Sequence, residues 1–234
     1  MNSISIIIPV LNEAQNLEVL LPYLHCNSSS ELISEILVVD GGSTDGSQRI
    51  VAELSKQYPK VIGLNSPKGR AKQMNFGALN SKGAVLYFLH ADSVPPKNFD
   101  RYIIDAINRG VKAGCFQMKF KSTHWWLQLA GWLTQLNWKS CRGGDQSLFV
   151  QKSVFETLDG YNENYIVCED SEFIYKLYDH HDFEVLPYWL TTSSRRYQAN
   201  GIWTLQFHFW MIHLKKFFGA TPKTLEAYYL KYIH

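Results

Sequence analysis

The chain has 234 residues, enough for one large domain or two small ones with a sizeable core. With 46% apolar and 19% charged residues it falls in the globular class rather than the disordered one. A net charge of only +2 argues against a general nucleic-acid binder, so any anionic ligand must be held by locally placed charge.

Apolar β-like runs alternate with helix-length segments through the first half of the chain. Strands are predicted at residues 5–10, 35–39, 61–65 and 84–89, and helices at 16–25, 47–58, 69–80 and 97–109. This order predicts a mostly parallel α/β sheet with helices on both faces, and right-handed crossovers put the four strand carboxyl ends on one edge. The second half is less regular. Strands are expected at 114–120, 146–150, 183–187 and 190–193. Helices are expected at 124–138, from 152, at 169–180 and twice near the carboxyl end. No repeat or linker interrupts the pattern, so residues 1–200 are expected to form one domain and 201–234 an aromatic helical extension packed on it.

Cys26, Cys115, Cys141 and Cys168 show neither CxxC pairing nor zinc-type spacing and read as free thiols. No secretory pattern is visible at residues 1–8, and a cytoplasmic location is the expectation. The densest apolar stretch, 201–218, is broken by Gln206, His208, His213, Lys215 and Lys216. It does not suit a spanning helix and could instead lie at a membrane interface or cover the sheet.

The chemistry-bearing residues gather at the strand ends. The fourth apolar run stops in His90-Ala91-Asp92, and a carboxylate at that place lies where open α/β sheets hold ligands. Asp92 is therefore a candidate metal or substrate ligand, although Asp-Ser-Val-Pro-Pro is also good turn chemistry. The first strand ends in Pro9-Val10-Leu11-Asn12-Glu13, and the second feeds the acidic, glycine-rich loop 39–47. Asp40 there could accept hydrogen bonds from a base or ribose, whereas Asp45 and Ser47 read first as caps of the next helix. Absence of GxGxxG after the first strand argues against a dinucleotide dehydrogenase.

These four motifs in order, Pro9 to Glu13, residues 38–46, His90-Ala91-Asp92 and Glu169-Asp170, resemble the family 2 glycosyltransferases of the GT-A fold. The resemblance covers about the first 200 residues. It implies a nucleoside-diphosphate sugar donor with UDP preferred and GDP the other candidate. It also implies a divalent metal, Mg²⁺ or Mn²⁺, and an acceptor hydroxyl. Carried over by position, Pro9 and Glu13 line the nucleoside pocket, Asp40 meets the base and Asp92 coordinates the metal. His90 stands where the family's D-x-D element has its first aspartate; contact with ribose, or a place in the metal shell, is the expected role. Asp170 is the general base of an inverting displacement, and Glu169 beside it is the second residue of the catalytic pair. A carboxylate near a diphosphate is repelled by about 4 kcal/mol at 4 Å and an effective dielectric of 20, and a bound divalent cation reverses that sign.

Three further segments extend the pattern. Gly69-Arg70-Ala71-Lys72-Gln73-Met74-Asn75 resembles the family's G-x-A-x-x-x-N segment. Arg70 there offers a forked donor to phosphate or base, unless Arg70 and Lys72 are solvated helix charges. Cys141-Arg142-Gly143-Gly144-Asp145-Gln146 resembles a G-G-D-Q element, in which Asp145 binds sugar hydroxyls or the acceptor. By the same resemblance Arg195 or Arg196, after a strand end, would help neutralise the departing diphosphate, although either could equally pair with a surface carboxylate, and the sequence does not separate the two readings. The aromatic segments 124–138 and 203–218 could form an acceptor cleft, a membrane-facing surface or a homodimer contact, although aromatic residues at helical spacing are most often core; their density is compatible with a lipid-linked acceptor. A nucleotidyltransferase is the competing enzyme reading, disfavoured because no early glycine-rich, Arg/Lys-bearing loop is present. A non-catalytic nucleotide-sugar-binding or membrane-adaptor protein is the competing class.

Overall fold

The structure, a computed structural model, describes residues 2–143 and 146–233. In chain order the first half runs β1 (Ile4–Val10), α1 (Ala14–Cys26), β2 (Ile33–Asp40), α2 (Ser47–Gln57), β3 (Val61–Asn65), α3 (Arg70–Leu79), β4 (Val85–Phe88), β5 (Ser93–Val94) and α4 (Phe99–Asn108). The second half continues with β6 (Ala113–Phe120), α5 (Trp125–Leu133), β7 (Leu148–Gln151), α6 (Lys152–Thr157), α7 (Glu169–His180), β8 (Phe183–Thr192), α8 (Arg195–Asn200), α9 (Ile202–Phe217) and α10 (Pro222–Tyr232).

These strands form one eight-stranded sheet in the order β3-β2-β1-β4-β7-β6-β8-β5. β1 pairs in parallel with β2 and β4, β2 with β3, and β6 with β8. β7 runs antiparallel to both β4 and β6, so β6 and β8 point the same way as β4. The carboxyl ends of six strands therefore share one edge, and the loops carrying Glu13, Asp40, Asp92 and Arg195 all leave from it.

Period-two alternation in the strands divides the core between the two sheet faces. Ile4, Ile6 and Ile8 of β1 pack with Leu17 of α1 and Ile103 of α4 on one face, while Ile7 packs with Met74 of α3 and Phe173 of α7 on the other. A third cluster, away from the sheet centre, joins Leu127 of α5, Leu205 and Ile212 of α9, and Leu225 of α10.

Gly77 shows how tightly α3 sits on the sheet. A Cβ there would lie 2.5 Å from Ile7 Cγ2 and 3.2 Å from Val39 Cγ2. Gly77→Ala is expected to destabilise the fold by about 1 to 3 kcal/mol through overpacking, read as a lowered thermal midpoint. An unchanged midpoint would mean that α3 rides higher on the sheet.

Several expected elements differ from those observed. The two strands expected at 183–187 and 190–193 are one ten-residue strand, β8, whose register against β6 shifts between Phe116 and Gln117. The slack is taken up at Pro187 and Tyr188, which is where the apolar pattern broke. The helix expected at 124–138 stops at Leu133. There Thr134 turns its hydroxyl onto the carbonyls of Gly131 and Met118, and a short 3₁₀ turn follows at Lys139–Cys141. Neither the two-residue β5 nor the separate short helix α8 was legible.

Candidate active site

The loops after β1 and β2 are locked together by side chains. Asn12 adopts a left-handed φ of 57° and its Oδ1 accepts from Thr44 N at 2.8 Å, while its own N–H donates to Ser43 Oγ at 2.8 Å. Asp45, expected as a helix cap, accepts through Oδ1 from Ser47 N–H and hydroxyl. Through Oδ2 it also accepts from Ala14 N–H, so it ties the two loops as well. The residue that caps α2 is Gly46, with φ 95°. Gln73, not singled out by sequence reasoning, is buried in α3 and donates to both Val10 O and Val39 O at 2.7 Å, stitching the ends of β1 and β2. Its signal would have been a buried amide within an apolar helical stripe.

Asp40 sits at the end of β2, 6% exposed. Its Oδ2 accepts from Gly42 N–H, Ser43 N–H and Gln48 Nε2 at 3.0, 3.0 and 2.7 Å. Burial alone would raise its pKa; the hydrogen bonds from Ser43, Gln48 and Gly42 together outweigh that and hold it below the usual carboxylate value. Oδ1 is buried and has no hydrogen-bond partner among the described residues. A cavity of about 290 Å³ opens beside it, lined by Val10, Gln48, Gly63, Leu64 and Asn65 among others. A buried acceptor lacking a donor, beside a cavity, is the feature expected where a ligand N–H binds. Pro9 pairs with Val39 in the adjacent row of the sheet, one step before Val10 faces Asp40.

Across the edge, Glu13 Oε1 forms an ion pair with Arg195 Nη2 at 2.8 Å. The Glu13 side chain, followed by the charge of Asp92, raises the Arg195 pKa against the effect of burial. β1, β4 and the segment after β8 are thus brought to one place, although Glu13 and Arg195 are 182 residues apart. The turn at β4 is closed by Ser93 N–H donating to His90 O at 3.0 Å and Ser193 N–H donating to Asp92 O at 3.2 Å. His90 and Asp92 are both partly buried.

The second group forms where α3 meets α7. Cys168 takes a left-handed φ of 65° and launches α7, whose first two residues are Glu169 and Asp170. Arg70, the first residue of α3, reaches both: Nε lies 2.8 Å from Glu169 Oε1 and Nη1 lies 3.3 Å from Asp170 Oδ2. Glu169 is 1% exposed, and the Arg70 contact lacks hydrogen-bond alignment, so its oxygens are held by charge alone among the described residues. A carboxylate so buried loses its hydration, and the guanidinium of Arg70 is what compensates for it.

Arg70, Glu169 and Asp170 line a pocket of about 380 Å³ together with Phe120, Trp126, Leu133, Tyr197, Phe209 and Trp210 among others. Arg196 also lines it, with Nη2 donating to Tyr229 hydroxyl at 2.5 Å and its guanidinium 5.7 Å from the Phe209 and Tyr229 ring centres. The structure therefore separates the two arginines. Arg195 faces the strand-end carboxylates and Arg196 the aromatic pocket. Lys72 shares neither place in the contacts seen here, and Asp145 lies outside the described residues. No trio of His, Cys, Asp or Glu able to hold a metal is found among the described residues. All four cysteines are free thiols.

The mostly parallel, mixed eight-stranded α/β sheet has the GT-A fold of the solved structures it resembles. The profile of glycosyl transferase family 2 matches residues 5–217, and the chain belongs to that family. Among curated proteins, the succinoglycan biosynthesis protein ExoA of Rhizobium meliloti is 26% identical over 194 residues, covering 74% of this chain and 57% of the relative. The dolichol-phosphate mannosyltransferase of Pyrococcus furiosus is 36% identical over 108 residues, covering 46% and 30%. The chain thus spans between about a third and just over half of these relatives. Among solved structures, the mannosyltransferase PcManGT of Pyrobaculum calidifontis in complex with GDP-Man and Mn²⁺ superposes with a TM-score of 0.70 at 18% identity, covering 97% of this chain and 69% of that one. S. aureus TarS in complex with UDP superposes with a TM-score of 0.66 at 18% identity, covering 82% and 60%.

Proposed function

We propose that this protein transfers a sugar from a nucleoside-diphosphate sugar to an acceptor hydroxyl, with inversion at the anomeric carbon. The observation that carries the reading is the position of Asp170: a buried carboxylate in the wall of the 380 Å³ pocket, with Arg70 on its Oδ2. In the proposed step Asp170 takes the proton of the acceptor hydroxyl as that oxygen bonds to the anomeric carbon. The bond from this carbon to the diphosphate oxygen breaks, and its electron pair leaves with the nucleoside diphosphate. Asp40 Oδ1 accepts from the base, and Arg195 exchanges Glu13 for the departing diphosphate. Glu169 positions Arg70 rather than touching substrate. UDP is the first candidate nucleotide and GDP the second; TarS binds the former and PcManGT a sugar conjugate of the latter.

The donor set suits a hard divalent cation of the Mg²⁺ or Mn²⁺ type, which binds through one or two carboxylates completed by phosphate oxygens and water. Asp92 would hold it, with His90 beside it, and when bound it supplies charge to stabilise the leaving diphosphate.

Thermal denaturation with UDP, GDP and their sugar conjugates, with and without Mn²⁺, tests the reading. One nucleoside diphosphate is expected to raise the midpoint, more so with metal, because only the folded state binds it. No shift with any of them would remove the transferase reading.

A further inference from the structure

Residues 119–143 and 195–233 differ sharply in composition from the rest of the chain. Together they hold six of the seven tryptophans, and ten lysines and arginines against one carboxylate, Glu226. The chain as a whole carries only +2.

The fold sets these two stretches side by side. Trp125 and Trp126 of α5 lie 5.7 and 5.5 Å from Trp203 of α9, centre to centre, and Trp126 lies 5.7 Å from Trp210. α9 buries Leu205 and Ile212 beneath it, yet Trp203, Phe207, Trp210, Leu214 and Phe217 on its outer side are 47 to 83% exposed. Their spacing of four, three, four and three residues makes them one stripe. Trp125, Leu129 and Trp132 repeat it on α5. A helix apolar on both sides has a second surface to cover, and a continuous exposed patch of this kind marks an interaction site.

We propose that this face docks on an anionic lipid bilayer, and that the acceptor reaches Asp170 from that surface; the second clause rests on the transferase reading above. Tryptophan prefers the headgroup boundary, where its ring is apolar and its N–H stays wet. Of the basic residues in these stretches, Arg142 is buried and Lys139 and Arg195 are ion-paired with Asp179 and Glu13, but Lys119, Lys121, Lys223 and Lys231 are exposed and suit anionic headgroups. No helix among the described residues is long and apolar enough to cross a membrane. The 16 residues of α9, roughly 24 Å at 1.5 Å each, would lie in the plane of the interface. The pocket lined by Asp170 also has Trp126 and Trp210 in its wall, and both rings belong to the same aromatic patch. An acceptor with an apolar tail could therefore leave that tail in the bilayer while its hydroxyl enters the pocket. A second copy of this chain fits the face less well, because a symmetric contact sets the same local positive charge against itself.

Flotation with vesicles of phosphatidylcholine containing a minority of phosphatidylglycerol tests the proposal. The comparison is the double variant Phe207→Glu, Phe217→Glu, whose side chains lie outside the pocket wall. The wild type is expected to float, less so at high salt. The variant is expected to lose binding by more than about tenfold, since partitioning scales with buried apolar area. Its circular dichroism and its thermal shift with nucleotide should be unchanged. A wild type that stays with the dense fraction overturns docking, as does a variant that floats equally. A dimer in sedimentation equilibrium that the variant dissolves assigns the face to a second copy instead. Absence of any nucleotide shift would sink the transferase reading while leaving the flotation result intact.

Discussion

Asp170→Asn is expected to slow sugar transfer by about a hundred- to ten-thousandfold, the range a positioned general base contributes. The substitution keeps size and shape but removes the ability to take the acceptor's proton at neutral pH. The amide loses half of the charge pattern around Arg70, whose Nη1 lies 3.3 Å from Asp170 Oδ2, but the 2.8 Å contact with Glu169 still holds the guanidinium. Donor affinity should therefore persist, and the thermal shift with nucleotide should match the wild type. Loss of transfer with loss of donor binding would instead make Asp170 a structural anchor of α7. Transfer near the wild-type rate would remove it from the mechanism.

Asp92→Ala should abolish the metal-dependent part of donor binding. Ligand at a hundred times its dissociation constant stabilises the folded state by about 2.7 kcal/mol. For a chain of this length that corresponds to about 2 to 4 °C of midpoint per kcal/mol, and hence about 5 to 10 °C in all. In the variant the increment that Mn²⁺ adds should vanish. The fold itself should be little affected, because Asp92 is part-exposed and the turn is held through its backbone carbonyl by Ser193 N–H. A retained metal increment would move the cation to other ligands. His90→Asp, which restores the carboxylate that the family pattern places there, would show by its metal increment whether the departure changes the chemistry.

Most of the sheet could be read from the sequence because its determinants are local. β1, β2 and β4 announce themselves as short apolar runs, each cut off by residues that favour turns, and their parallel order follows from the helices between them. α7 begins at Glu169 as its acidic first turn suggests. What escaped depends on pairing between distant segments. The antiparallel insertion of β7 between β4 and β6 has no local mark, nor does the joining of two apolar runs into β8 across a register shift.

The same division holds for the candidate site. Amino-acid types at strand ends were enough to nominate Asp40 and Asp92, whereas Glu13 and Asp170, the latter at the head of α7, were nominated by the resemblance to the family's motifs. The sequence by itself also determined the family and the parallel α/β order, because both are written in short motifs and local periodicity. Only the tertiary structure decided that Arg195 turns to Glu13 while the adjacent Arg196 turns into the aromatic pocket. It likewise decided that Arg70 joins Glu169 and Asp170, and that the tryptophans of α5 and α9 share one exposed face. Neighbouring side chains on a helix diverge by about 100° with 3.6 residues per turn, so adjacency in sequence says little about which partner each one meets. The packing of α8, α9 and α10 against α5 makes that choice.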